Sequence, residues 1–182
     1  MTPHAFDTPK SDTAPPYFPV ARHKLIVLSL ATLSTYQLYW FYRNFEMMAA
    51  RNKESGSTFW RALFAPITAQ GLFAQVRLDA RSRFITVGWS AGGLAVIYFV
   101  LNIACFLSYP WWLLALTSVF AVLPVHATAQ AVNAIEAPNA PRNDVYSAWN
   151  IVAIVVGIAL TIAGIYATRQ VDLLFQQLES QL

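Results

Sequence analysis

The sequence predicts an all-α protein that sits in a membrane as a polytopic helical bundle. Three observations lead there. Hydrophobic residues make up 57% and charged residues 12% of the 182-residue chain, where an ordinary soluble domain carries about 25% charged. Apolar runs of about 20 residues recur, long enough to cross a bilayer as helix. The basic residues stand beside those runs. A net charge of +3 therefore suits anionic lipid headgroups. It does not suit nucleic acid, which needs a clustered basic face.

Residues 1–21 hold Pro3, Pro9, Pro15, Pro16 and Pro19 and are expected to form a disordered or extended tail. A membrane domain is expected over 22–168. Its first segment, 22–42, is apolar at both ends but holds Thr32, Ser34, Thr35, Tyr36 and Gln37 in the middle. It either crosses or dips in and returns. Across 58–77, Phe59, Trp60, Leu63, Phe64 and Ile67 recur at helical spacing, which predicts an amphipathic helix lying along the headgroups. Three full spans follow, at 84–107, 111–132 and 151–167. The first two are joined by the uncharged turn Ser108 to Pro110. An amphipathic helix over 169–182, with Val171, Leu174, Phe175, Leu178 and Leu182 on one stripe, closes the chain. No signal peptide is expected, because the first apolar run begins late, behind prolines.

Charge bears on the first segment. Lys and Arg gather on the cytoplasmic side of short loops. If 22–42 dips and returns, ten of the eleven basic residues flanking the spans share one side; if it crosses, eight do. Ser and Thr can satisfy backbone groups freed at a helix break, and the Tyr and Trp residues at 36–42 suit the interface. The dip is preferred.

The pattern Thr32, Tyr36, Tyr39, Trp40, Arg43 in "TLSTYQLYWFYR" resembles a family of small bacterial multipass membrane proteins that share a domain of unknown function. Their hallmark is roughly Thr-x-Gly-x-Tyr-x-x-Tyr-Trp. The later "APNAPRNDVYSAWNIV" is similar to the same group. The resemblance implies a multi-pass protein of the bacterial inner membrane and carries no activity. Ser34 stands where the hallmark has glycine. Serine lacks glycine's freedom at positive φ, which counts against a sharp turn.

Catalytic chemistry finds little support. No acidic residue lies inside an apolar span, whereas proton-coupled transport commonly needs one. His4, His23 and His126 are scattered, so no metal or cofactor site is expected. His126 is read as a hydrogen-bonded interfacial histidine. Ser118 lies eight residues earlier, about 12 Å along a helix and too far for a direct bond. "GWSAG" at Gly88 to Gly92 has the letters of a hydrolase elbow but opens an apolar helix. Gly88 and Gly92, and Ala153, Gly157, Thr161 and Gly164, are instead candidate close-packing positions. Asn150 directly precedes the last apolar run and is expected to cap it. The lone Cys105 can form no internal disulfide. The expectation is a non-enzymatic accessory or scaffold protein. Its partners are the lipid bilayer and either a membrane-protein partner or further copies of itself. The alternative is a small oligomeric transporter or channel.

Overall fold

Two residues with left-handed backbone cut the first apolar segment in two. Leu33 has φ 51° and Ser34 has φ 66°, and they separate α1 (Arg22–Ala31) from α2 (Thr35–Asn52). The Ser34 amide donates to the Ser29 carbonyl at 2.8 Å, the closure of a Schellman turn. The expectation that serine would resist this conformation is corrected. Tertiary contacts on both flanks hold a geometry that costs a non-glycine residue about 1–2 kcal/mol. Two later helices end the same way. Lys53 (φ 53°) and Phe84 (φ 58°) each precede an amide that reaches back five residues, Glu54 to Ala49 at 3.0 Å and Ile85 to Ala80 at 2.9 Å.

The computed structural model describes residues 14–180. It is all-helical, 75% helix, with no strand among the described residues. The remaining helices are α3 (Thr58–Leu63), α4 (Ala65–Arg81), α5 (Ala91–Ile103), α6 (Val119–Glu136) and α7 (Ala148–Glu179). Short 3₁₀ segments, Ala104–Phe106 and Trp111–Ser118, flank the turn between α5 and α6. That turn contains a cis Tyr109–Pro110 bond.

After the break the chain doubles back. At the open end, the Lys24 ammonium donates to Asn143 Oδ1 and the Val145 carbonyl, each at 2.7 Å. Arg43, well along α2, lines a groove together with the same 141–145 loop. At the closed end, Gln37 and Ser118 are both fully buried, and the Gln37 amide donates to Ser118 Oγ at 3.1 Å. α1 rises only about 15 Å over its 10 residues, half of a hydrocarbon core of about 30 Å.

The core lies among α2, α4, α5 and α6. Trp40, Phe41, Phe45, Phe73 and Tyr98 are nearly inaccessible, and the Phe41 and Tyr98 ring centroids are 5.3 Å apart. This revises the surface helix expected at 58–77, which breaks at Phe64 with Pro66 in the first turn beyond. The α4 face of Ala65, Ala69, Leu72, Phe73, Val76 and Ala80 is fully buried. Phe59, Trp60, Leu63, Phe64 and Ile67 remain exposed.

Two helical stretches are long and apolar enough to cross a membrane. One is Trp111–Glu136, whose most apolar 18-residue window has mean hydropathy 1.7, and the other is α7, whose window has 2.4. The third span expected, 84–107, falls short. The Phe84 turn closes α4, and residues 84–90 carry no helix, leaving only Ala91–Phe106. α7 begins in a capping box, with Ser147 Oγ accepting from the Asn150 amide and the Asn150 side chain accepting from the Ser147 amide. Asn150 thus caps from inside the first turn. α7 then runs unbroken to Glu179, so the separate C-terminal helix from 169 merges into it. Leu182 lies outside the described residues, as do residues 1–13 of the expected tail.

Lys53 is exposed and sits in left-handed backbone. Lys53→Gly is expected to stabilise the protein by about 1 kcal/mol, read as a higher melting temperature in detergent.

Candidate functional site

Three features gather the polar chemistry of the chain. The first is the helix break. Thr32 Oγ1 donates to the Leu28 carbonyl at 2.7 Å and accepts from the Tyr36 amide at 3.0 Å. One hydroxyl thus ends α1 and caps α2. Ser34 Oγ donates to the Ala115 carbonyl at 3.4 Å. α7 crosses here. A methyl group at Gly157 would collide with the Ala31 carbonyl oxygen and lie 2.8 Å from Thr32 Cα. Gly157 is the one buried residue of α7 among those described.

The other packing candidates fare differently. Thr161 Oγ1 donates to the Gly157 carbonyl at 2.8 Å, and Ala153 lines the groove between α7 and the break. Gly88, Gly92 and Gly164 have nothing within 4 Å of where a Cβ would stand. Among the interface candidates, Tyr39 is exposed and Tyr36 half-buried. Arg43 pairs with Glu46 and lies over the Phe18 ring. Trp40 is 1% exposed. It belongs to the core, edge-on to Phe41 and to His126.

The second feature was not legible in the sequence. Tyr17, Phe18 and Val20 are buried and form an extended strap inside the bundle end, correcting the tail boundary placed at residue 21. Three helix-borne amides hold its backbone. Asn133 accepts from the Tyr17 amide at 3.0 Å and donates to the Tyr17 carbonyl at 2.8 Å. Asn44 accepts from the Phe18 amide at 3.1 Å, and Gln130 donates to the Phe18 carbonyl at 2.9 Å. Prolines on either side leave few strap donors to satisfy. The Tyr17 hydroxyl donates to Asp79 at 2.6 Å, and Arg51 pairs with Asp79 at 2.8 Å while lying 5.4 Å from the Tyr17 ring centroid. Burial, then the carboxylate, push the Tyr17 phenol above its ordinary value of 10.0.

The third feature is a cavity of about 570 Å³ beside the strap, lined by the first turn of α1, by α6 and by the 137–144 loop. His126, 2% exposed, forms part of its wall, and its Nδ1 has no hydrogen-bond partner. The expectation of a hydrogen-bonded interfacial histidine is corrected, since the ring is enclosed. Among the described residues no three His, Cys, Asp or Glu side chains converge as a metal site would need.

No family model matches the chain, and no curated protein or solved structure matches it either.

Gly157→Ala is expected to cost about 2 kcal/mol by forcing α7 off the break, whereas Gly164→Ala stays neutral; thermal melts in detergent compare them. The Tyr17 phenol gives a pH dependence. It ionises later folded than unfolded, so its stabilisation is full below pH 10 and is lost as pH rises above it. Proteolysis at residues 14–21 should accelerate there, and Tyr17→Phe should flatten the profile.

Proposed function

We propose that this chain is a multi-pass integral protein of the bacterial inner membrane that acts as a non-enzymatic accessory or scaffold protein through helix packing and lipid contact. The single observation that carries the reading is α7. Its most apolar window has mean hydropathy 2.4, yet only 6% of that window is buried in the fold. An 18-residue helical stretch that is this apolar and this little covered needs lipid or another helix around it. The comparable window of Trp111–Glu136 is 44% buried, which suits a span that also serves the core.

Charge supports an orientation. The strap, the start of α1, the end of α2, the end of α4 and the 137–147 loop converge through Tyr17–Asp79, Arg51–Asp79, Lys24–Asn143 and Arg83–Glu136 contacts. With α1–α2 re-entrant, all the described Lys and Arg except Arg169 fall at that end. Arg169 stands about 32 Å along α7 from Ala148. The basic end is then cytoplasmic. On this reading α5 with its 3₁₀ extension is a third, shorter crossing of about 24 Å. The exposed Phe59, Trp60, Leu63, Phe64 and Ile67 anchor α3 at the interface. The motif from Thr32 to Arg43 supports the bacterial inner membrane through its resemblance to that family.

Single cysteines placed in a Cys105→Ala background test the topology with a membrane-impermeant maleimide on intact cells. Ala14→Cys, Ser55→Cys and Asn139→Cys should be protected, and Ser108→Cys and Ser180→Cys labelled. Labelling at Ala14 but not at Ser55 would reject the re-entrant hairpin. Release of the unlabelled protein by carbonate washing would reject the membrane reading altogether. Substrate-dependent flux in proteoliposomes would replace the scaffold role with transport.

A further inference from the structure

The cavity beside the strap is separate from the helix-packing and lipid-facing surfaces. Its titratable lining comes from three elements: Arg22 and His23 on α1, His126 on α6, and Arg142 with Asp144 on the loop. Two guanidiniums and two imidazoles thus face a single carboxylate. Arg22 lies near enough to His126 for its charge to act on the ring. Nothing acidic stands between them among the lining residues. The two guanidiniums outnumber the carboxylate, so the lining carries a net positive charge that suits an anion.

Other features of the wall agree. Ala127, Ala131 and Ala134 recur at i, i+4, i+7 and line the cavity, so small side chains keep the α6 face open. α1 has Ala21 at its N-cap and no side-chain cap, so no side chain satisfies the amides of its first turn, whose residues Arg22 and His23 line the same space. His126 supplies a buried ring whose Nδ1 lacks a partner. The volume fits a small organic ligand rather than a lone ion.

We propose that this cavity binds a phosphate-bearing anion, held by Arg22 and Arg142 with His126 at its floor and its organic part over the alanines. Guanidinium forks match tetrahedral phosphate oxygens two at a time. The ligand is either a soluble phosphate ester or the headgroup of an anionic phospholipid. The chemistry of recognition is the same for both.

The test uses the full chain in dodecyl maltoside, where cavity binding does not depend on any helix crossing a bilayer. Its failure is therefore distinct from failure of the membrane reading. One arm titrates inorganic phosphate against chloride at equal ionic strength. The other adds phosphatidylglycerol against phosphatidylcholine. The melting temperature should rise saturably in at least one arm, and the half-saturating concentration should increase about tenfold in Arg22→Gln/Arg142→Gln. Arg169→Gln should respond like the natural sequence. Both altered arginines are exposed, and the variant's melt without added anion verifies its folding. A response to phosphate assigns a soluble ligand, and a response to phosphatidylglycerol alone assigns a headgroup. No saturable response in either arm, or an undiminished one in the double variant, overturns the proposal.

Discussion

The architecture depends on one constraint: a helix that breaks against packed neighbours must find partners for the backbone groups the break frees. The turn at Thr32 to Ser34 does this locally. Thr32 serves both helices through one hydroxyl, Ser34 closes α1 through its amide, and the Ser34 hydroxyl donates to a carbonyl of the next 3₁₀ segment. Gly157 then lets α7 lie directly on the turn. Removing either hydroxyl takes a hydrogen-bond partner from a backbone group at the break.

The opposite end solves the same problem differently. There the strap brings backbone donors and acceptors into the bundle, and Asn44, Gln130 and Asn133 receive them. Amide side chains suit this because each can donate and accept at once, as Asn133 does toward Tyr17. The ion pair of Arg51 and Asp79 is tied to the strap through the Tyr17 hydroxyl. Polar contacts thus close both ends, while the middle of the bundle is filled with rings. The doubled-back α1–α2 pair joins the two zones.

Much of this was legible in residue pattern. Helicity and the apolar runs follow from composition. The cluster from Thr32 to Gln37 marked the break, and the exposed ring set at 59–67 was identified residue by residue. Small-residue spacing singled out Gly157 correctly but also singled out Gly88, Gly92 and Gly164, which touch nothing. Spacing alone does not say which face meets a neighbour. The Ser34 conformation ran against intrinsic preference, because tertiary contacts outweigh a cost of about 1 kcal/mol. The stretch 58–77 was misjudged because the exposed rings Phe59, Trp60 and Phe64 precede the buried face of α4 and dominate the pattern. The strap was missed because proline-rich composition signals only the lack of local structure, not a distant clamp. Two of its partners, Gln130 and Asn133, lie 112 and 116 positions away.

That separation orders events at the ribosome. The amides that grip Tyr17 and Phe18 on α6 do not exist until Asn133 has been polymerised, by which time the earlier helices have long since emerged. Tyr17 and Phe18, synthesised early, are therefore among the last residues to find their place. A nascent chain halted before α6 would expose its leading aromatics, giving quality-control proteases a mark that distinguishes an unfinished product from a completed one.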